Sequence, residues 1–198
     1  FIEMTAKYRL EHAQRGFDWY DMMDKEEEIT AQDLLWAKYP SDKELEKNKI
    51  RGVYLGNYVD WDANNHVKMV KELYNWEEAQ QPFDRTYRKM SNIDDMHENG
   101  AHDYLKYIKF GYGRASDHAC KDIRGGHMTR EEGIKMVRRY DHVKPRDLKR
   151  WCEYTGINEE EFDKIADTFR DSRVWWKDKE GNWIKINIWD SIEEKERK

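Results

Sequence analysis

The residues best suited to carry chemistry surround a glycine-rich turn, Gly111-Tyr112-Gly113, placed where one predicted helix ends and another begins. Small residues at such a turn let the backbone approach a ligand closely and leave its N–H groups free to point outward. Lys109 and Arg114 flank the turn with two positive charges. Because the arginine fork can hold a phosphate or a carboxylate through two parallel hydrogen bonds, the pattern predicts a site for an anion.

The residues that follow the turn add groups able to move protons. Ser116 or Asp117 is predicted to cap the next helix, whose N-terminus favours anions. Asp117 and His118 are adjacent, and a carboxylate beside an imidazole can tune its pKa for proton transfer. The alternative interpretation is a structural turn, in which Arg114 pairs with Asp117 or Asp122 at the surface.

Metal binding and cysteine chemistry have weaker support from spacing. His118, Cys120 and His127 are close in sequence, but their spacing matches no standard zinc pattern and a second Cys or His pair is absent. We therefore predict no metal ligand. Cys120 and Cys152 are predicted to be small buried residues rather than nucleophiles.

The elements that must position these residues are predicted from capping signals and hydrophobic periodicity. A short strand is predicted over Ile50 to Tyr58, and a β-hairpin over Val174 to Ile186, where Trp175-Trp176 either packs or offers a sugar-stacking platform. The predicted fold is α+β, mainly helical with a short strand and a C-terminal β-hairpin. The predicted helices run over Glu3 to Leu10, Thr30 to Trp36, Asp42 to Lys49, Asp62 to Leu73, Asp103 to Phe110, Thr129 to Val137, Pro145 to Gly156 and Asn158 to Phe169.

The composition predicts a globular, cytoplasmic protein. Nine Trp, twelve Tyr and six Phe in 198 residues supply a core, which argues against a disordered chain. No apolar run approaches the roughly 20 residues that span a bilayer, and the first residues lack the features of a signal peptide. Two cysteines cannot form a disulfide framework and fit a reducing compartment.

Charge is distributed unevenly along the chain. The net charge is −5, yet the stretch from Tyr104 to Arg150 has 13 Lys/Arg and 6 Asp/Glu, a net charge of +7. A basic block inside an acidic protein favours a local anion site over a nucleic-acid surface, so nucleic-acid binding is the weakest of the functions considered. The alternative for Lys135, Arg138 and Arg139 is a solvated helix face.

The turn is one of several motifs that extend from about Pro40 to Trp176. The segments are Pro40-Ser41-Asp42, Gly52-Val53-Tyr54-Leu55-Gly56-Asn57-Tyr58, Trp61-Asp62, Ser91-Asn92-Ile93-Asp94-Asp95, Lys109-Phe110-Gly111-Tyr112-Gly113-Arg114-Ala115-Ser116-Asp117-His118-Ala119, Asp122-Ile123-Arg124, Met128-Thr129-Arg130-Glu131-Glu132-Gly133, Arg138-Arg139-Tyr140-Asp141, Glu161-Phe162-Asp163 and Phe169-Arg170-Asp171. Together these motifs resemble the C-terminal part of the N-acetyl sugar amidotransferases, bacterial enzymes of lipopolysaccharide O-antigen and flagellar-sugar biosynthesis.

The resemblance implies an ATP pyrophosphatase reaction. In such enzymes ATP, with Mg, activates the carbonyl oxygen of a sugar acetamido group as an adenylate, and ammonia then displaces AMP to leave an acetamidino group. The implied substrate is a nucleotide-linked acetamido sugar. The implied partners are a glutaminase that supplies the ammonia and an accompanying cyclase-like subunit, with no nucleic acid and no membrane span.

This sequence departs from the family at its nucleotide site, because the Ser-Gly-Gly-x-Asp-Ser loop and the paired Cys-x-x-Cys motifs are absent. The chain also opens on Phe1, inside a predicted helix. We therefore expect an α/β domain of the adenine-nucleotide α-hydrolase type, which binds ATP, to precede this chain. On this view residues 1–39 are a helical connection from that domain, residues 40–190 are the substrate-side region and residues 191–198 are a charged tail.

The resemblance also implies roles for the residues near the turn. Lys109, Arg114 and Arg124 would hold anionic parts of the nucleotide-linked sugar or the pyrophosphate, beside the Gly111-Tyr112-Gly113 turn. Asp117 and His118 would orient the acetamido group or relay a proton. The alternative function, from a different class, is a non-catalytic docking or regulatory module that lacks the ATP site.

Overall fold

The computed structural model describes residues 3–23, 29–91 and 99–191, and these fall into two compact units, Phe1–Ala63 and Asn64–Lys198. The acidic cluster from Asp24 to Glu28, most of the Ser91 to Asp95 motif and the predicted tail from residue 192 lie outside the described residues.

The first unit consists of short helical pieces joined by irregular chain. Its elements are helix α1 (Ala6–Tyr8), a π-helical turn (Arg9–Ala13), 3-10 turns (Trp19–Met22, Leu35–Ala37 and Leu55–Asn57) and helix α2 (Asp42–Lys47). Ser41 caps α2 in a reciprocal capping box with Glu44, as the sequence predicts. The Asp42 carboxylate also accepts a hydrogen bond from Ala6 N at 2.8 Å, which holds the first helix against the second.

The helix predicted over Glu3 to Leu10 begins later than expected. It starts at Ala6 with Thr5 as its N-cap, and Glu3 lies instead in a β-bridge.

Two further predictions in the first unit are corrected. The strand predicted over Ile50 to Tyr58 reduces to one antiparallel bridge between Glu3 and Val53, followed by a 3-10 turn. The turn formers within this stretch explain the difference, because they leave too few consecutive extended residues to form a ladder. The helix predicted after Thr30 is a 3-10 turn at Leu35–Ala37, and the Thr30 hydroxyl donates instead to Asp33 at 2.6 Å.

The second unit is a set of helices followed by a β-hairpin. Its elements are α3 (Ala63–Tyr74), α4 (Asn99–Phe110), α5 (Arg114–Arg124), α6 (Arg130–Tyr140), α7 (Leu148–Thr155), α8 (Glu159–Asp167), β1 (Trp176–Lys177) and β2 (Trp183–Ile184). Strand β1 pairs antiparallel with β2, so that Trp176 lies opposite Ile184. The predicted fold class, mainly helical with a C-terminal hairpin, is confirmed.

Local capping explains where several of these helices begin and end. Thr129 with Glu132 and Asn158 with Glu161 form the two reciprocal capping boxes that the sequence predicts for α6 and α8. Gly156 ends α7 with a φ of +76°, in the left-handed region that suits glycine. The start of α7 differs from the prediction, because the helix begins at Leu148 rather than at Pro145.

The core of the second unit lies between α4, α7 and α8. The side chain of Phe162 contacts Trp151 edge to face, with ring centroids 5.5 Å apart, and stacks on Tyr104 at 6.3 Å. The buried residues of this core are Ala101, Ile108, Leu148, Cys152, Phe162 and Ala166. This core fixes the C-terminal end of α4 and therefore the position of the Gly111 turn.

In the described part of the chain, no helix has both the length and the apolar character to cross a bilayer.

Candidate functional site

The N-terminus of α5 is held by a carboxylate from the far end of α6. Gly113 is the N-cap residue, so the prediction that Ser116 or Asp117 caps this helix is wrong. Asp141, only 3% exposed, accepts hydrogen bonds from Gly113 N at 2.9 Å, from Ser116 N at 3.2 Å and from Ser116 Oγ at 2.6 Å. The Asp141 carboxylate therefore occupies the position at the helix N-terminus that the helix dipole makes favourable for an anion. The predicted anion at this position is a side chain of the protein rather than a ligand.

A buried arginine supports the same corner from the other side. The Arg85 guanidinium donates to the main-chain carbonyls of Asp141 and Val143. It also lies over the rings of Tyr104 and Tyr107, at 5.0 and 5.4 Å from their centroids. Burial lowers the pKa of Arg85, and the nearby Asp141 charge works in the opposite direction. Arg85 therefore fixes the Asp141 backbone while Asp141 fixes the start of α5.

Arg114 is engaged in a structural ion pair. Its Nε and Nη2 donate to the two carboxylate oxygens of Asp103 at 2.8 and 2.9 Å, a bidentate arrangement. The Asp103 side chain is 2% exposed and the Arg114 side chain 24%. The hydrogen bonds that Arg114 donates to Asp103 raise the pKa of Arg114. The partner is therefore neither Asp117 nor Asp122, the two that the structural interpretation of the sequence expected.

Asp117 and His118 turn towards different partners although they are adjacent in sequence. Asp117 forms an ion pair with Lys106, while His118 Nδ1 lies 2.6 Å from Thr86 Oγ1. Neighbouring residues on a helix point about 100° apart, which separates the two side chains. Burial, followed by the charges of Arg88 and other nearby cations, lowers the pKa of His118 to about 3. The imidazole is therefore neutral at neutral pH.

Asp122 organises a second polar cluster one and a half turns further along α5. Its carboxylate accepts hydrogen bonds from the Tyr87 hydroxyl, from the Arg88 guanidinium and from Asn64 Nδ2 at 3.0 Å. Burial alone would raise the pKa of Asp122, but these three hydrogen bonds outweigh burial and lower it. The cluster attaches the segment around Tyr87 firmly to α5.

The remaining predicted site residues occupy different surroundings. Gly111 is buried at a φ of +75°, and a Cβ there would lie 2.6 Å from Val174 Cγ1. Tyr112 is 45% exposed, and Lys106 Nζ lies 4.6 Å from its ring centroid. Lys109 and Arg124 are both exposed. They lie on separate helices, and about 15 Å of helix separates Arg124 from the start of α5.

A cavity of about 180 Å³ opens beside the Gly111 turn. We call it the turn cavity. Its polar and aromatic lining includes Tyr107, Tyr112, Ser116, His142, Lys185 and Trp189. Gly111 and Tyr112 are thus brought to one cavity, whereas the structure does not place Lys109, Asp117, His118 or Arg124 in its wall. The turn cavity combines aromatic faces with a hydroxyl and basic groups, which suits a small polar ligand with apolar faces.

The described residues contain no clustered set of metal ligands. Within them, no group of three or more His, Cys, Asp or Glu side chains is arranged to hold a metal ion, and His118, Cys120 and His127 form no such group. Cys120 is exposed and Cys152 buried, so the predicted burial is correct for Cys152 and wrong for Cys120.

The sequence interpretation missed the run Arg85-Thr86-Tyr87-Arg88. It lies in the stretch from Gln80 onward, which lacks periodicity and a helix or strand signal. Arg85 and Thr86 are nonetheless buried, and all four residues contact α5 or the Asp141 corner. No local signal marked the run, because arginine and threonine are mostly exposed in proteins and suit a surface loop.

The pair Trp175-Trp176 packs as part of the hairpin. Trp175 is 5% exposed, its ring meets Tyr107 edge to face with centroids 5.5 Å apart, and Arg170 lies 4.4 Å from its centroid. The packing alternative is therefore correct for Trp175, whose faces are already covered. On α6, Lys135, Arg138 and Arg139 are exposed, as the solvated-face alternative expects.

Comparison with known proteins gives a family for the region that contains the site. A sequence model described as LPS biosynthesis protein WbpG-like, C-terminal domain, matches residues 84–190, which is more than half of the chain. The matched region holds the Arg85 to Arg88 run, the Gly111 turn, Asp141 and the hairpin. A search of curated proteins found no match. The chain therefore belongs to the WbpG-like family of LPS biosynthesis proteins, of which it contains the C-terminal domain.

Proposed function

We propose that this chain is the substrate-side part of an ATP-dependent N-acetyl sugar amidotransferase. The observation that carries the proposal is the family match over residues 84–190, which includes the Lys109 to Ala119 motif of those enzymes. In the overall reaction the acetamido C=O of a nucleotide-linked sugar becomes C=NH. Ammonia supplies the nitrogen, the oxygen leaves on AMP, and pyrophosphate is released from ATP.

The turn cavity is our candidate for the acetamido sugar. Its volume of about 180 Å³ is below the roughly 300–1,000 Å³ of sites for drug-sized ligands, so it suits one sugar ring or its acetamido arm. Tyr107, Tyr112 and Trp189 offer aromatic faces for the C–H groups of a sugar, while Ser116 and Lys185 offer polar atoms. The bound sugar would have restricted orientations, which is the main contribution such a site makes to reaction with ammonia.

We assign His118 a positioning role instead of the proton relay that the sequence suggests. A general base works best when its pKa is near the working pH, and the imidazole has a pKa of about 3. Its bond to Thr86 joins α5 to the Arg85 to Arg88 run. The exposed cations Lys109 and Arg124 remain our candidates for contacts with the departing pyrophosphate. ATP, magnesium and the ammonia-supplying partners are assigned to no described residue of this chain.

The test is turnover of a nucleotide-linked acetamido sugar by the enzyme purified with its partner subunits. With ATP, magnesium and ¹⁵N-ammonium, we expect release of AMP and pyrophosphate, and one ¹⁵N retained in the sugar product by mass spectrometry. Tyr112→Ala should raise KM for the sugar at least tenfold. Tyr154→Ala, which removes a tyrosine that is 89% exposed on α7, is the matched control and should leave KM unchanged.

Two outcomes would contradict the proposal. Absence of ¹⁵N from the sugar, with the subunits present and folded, would exclude the amidotransferase reaction. An equal KM for Tyr112→Ala, Tyr154→Ala and the wild type would exclude the turn cavity as the sugar site.

A further inference from the structure

A second, larger concavity lies between α3, the Arg85 to Arg88 run and α5, away from the turn cavity. It has a volume of about 450 Å³, within the range of sites that hold a nucleotide-sized ligand. We call it the α3 groove. Its charged lining residues are Lys68, Lys71, Arg88, Lys89, Glu78 and Asp122.

Ion pairing within the α3 groove leaves a local positive excess. Lys71 Nζ lies 3.0 Å from a carboxylate oxygen of Glu78, and Arg88 pairs with Asp122. Lys68 and Lys89 are exposed, and neither has an ion pair with an acidic side chain among the described residues. Two cations in one groove, neither of them in an ion pair within the described residues, form an attractive position for a ligand with two negative charges.

One wall of the α3 groove is held in place by hydrogen bonds. Hydrogen bonds of Tyr87, Arg88 and Asn64 to Asp122 attach the groove wall to α5. The backbone is fixed as well, because the Lys89 carbonyl accepts from Ala79 N at 2.9 Å and the Arg88 carbonyl from Phe83 N at 3.0 Å. A site whose groups are already held in place loses little conformational entropy when a ligand binds.

Arg88 contributes a further cation to the lining of the α3 groove. Its side chain is only 10% exposed and pairs with Asp122, and its buried Nε has no hydrogen-bond acceptor among the described residues. A buried donor without an acceptor is unfavourable, so a bound anion or a water molecule at this donor would be stabilising. Arg88 lines the groove in which Lys68 and Lys89 are also found. Tyr87 and Met90 add an aromatic ring and a thioether to the same lining, a surface on which a planar base can pack.

We propose that the α3 groove binds a nucleoside diphosphate group, with the diphosphate at Lys68, Lys89 and Arg88 and the nucleoside against Tyr87 and Met90. The identity of the ligand as the nucleotide part of the sugar substrate rests on the proposed function. The binding of a nucleoside diphosphate does not.

The experiment is calorimetric titration of the purified protein with UDP and CDP, and with inorganic pyrophosphate. We expect saturable binding of at least one nucleoside diphosphate, at least tenfold weaker for Lys68→Gln/Lys89→Gln and weaker still as salt is raised. Both lysines are exposed, so this variant should fold. Lys135→Gln, an exposed lysine on α6 outside the groove, is the matched control and should bind like the wild type. Met90→Ala should weaken the nucleoside diphosphate but leave pyrophosphate binding unchanged.

Three results would overturn the proposal: no saturable binding of either nucleoside diphosphate, equal binding by the double variant, or pyrophosphate binding as tight as that of UDP and CDP. The experiment uses no ATP, ammonia or turnover, so it separates the groove from the amidotransferase reaction. If Lys68→Gln/Lys89→Gln forms amidino product with an unchanged KM for the nucleotide-linked sugar, the assignment of the α3 groove to the nucleotide is wrong, whereas the amidotransferase reaction is supported. If UDP or CDP binds as expected but no amidino product forms, the reaction fails while the groove stands.

Discussion

At the scale of single residues, several groups with apparent catalytic character have structural partners. Asp141 occupies the anion position at the start of α5, and Asp103 accepts two hydrogen bonds from the Arg114 guanidinium. Each carboxylate is almost fully buried, where an unpaired charge is costly and a paired one is fixed in direction. Loss of activity on changing such a residue would therefore report on folding before it reports on substrate contacts.

We expect Arg114→Ala to destabilise the protein by about 3 kcal/mol. Removal of one partner of a buried pair costs about 3–5 kcal/mol, and the lower value applies because the Arg114 side chain is 24% exposed. Unfolding in urea measures the change. Asp103→Asn/Arg114→Ala removes the buried charge as well and should regain part of the loss. Equal stability of Arg114→Ala and the wild type would contradict the structural role and restore Arg114 as a candidate for substrate binding.

His118 should make stability depend on pH. The folded-state pKa of about 3 lies below the ordinary value of 6.5, so the unfolded chain takes up the proton first as the pH falls. The stability contributed by the neutral imidazole is therefore present above pH 6.5 and is lost between about pH 6.5 and pH 3. Between pH 7 and pH 5 we expect the free energy of unfolding to fall by about 2 kcal/mol more in the wild type than in His118→Gln.

Urea unfolding of both proteins at the two pH values gives this difference directly, because the other titrating groups are common to both. An identical pH dependence would show that His118 is protonated as readily in the folded chain as in the unfolded chain.

At the scale of elements, the turn between α4 and α5 depends on close approach of the hairpin. Gly111 needs left-handed backbone to end α4, and the side chains of Val174 and Lys185 fill the space where a Cβ would stand. Gly156 ends α7 with nearly the same φ, but nothing lies within 4 Å of a Cβ built there. The two glycines thus share a conformational requirement and differ in packing.

We expect Gly111→Ala to cost about 2–4 kcal/mol and Gly156→Ala only about 1 kcal/mol. Both variants place a non-glycine residue in left-handed conformation, at about 1 kcal/mol, and Gly111→Ala adds the overlap of its Cβ with Val174. Urea unfolding of the two variants separates the conformational cost, which both share, from the cost of the overlap with Val174, which only Gly111→Ala has. Similar losses of unfolding free energy at the two positions would mean that Val174 and Lys185 do not restrict the side chain at position 111.

At the scale of the whole molecule, the basic block does not form one anion-binding surface. Cations from Tyr104 to Arg150 pair with acids that the sequence places elsewhere: Arg114 with Asp103, Arg146 with Asp84, and Lys144 with Asp163. The net charge of +7 along the sequence is therefore partly neutralised in three dimensions. The α3 groove gains its positive excess from Lys68 and Lys89, which lie outside the block, so the linear charge count did not indicate its position.

The sequence by itself determined most helices of the second unit, its C-terminal hairpin and several of the helix ends. The capping boxes at Thr129 and Asn158 and the glycine stop at Gly156 were predicted correctly, because helix signals act over three or four residues. The family was also accessible, since its motif is contiguous around Gly111.

Only the tertiary structure decided which partner each polar side chain has. Asp141 reaches Gly113 across 28 residues of chain, and His118 meets Thr86 across 32. Such contacts follow from how helices pack against one another, which local sequence patterns do not encode. For that reason the turn was predicted as a site while the buried Arg85 to Arg88 run and the α3 groove were not.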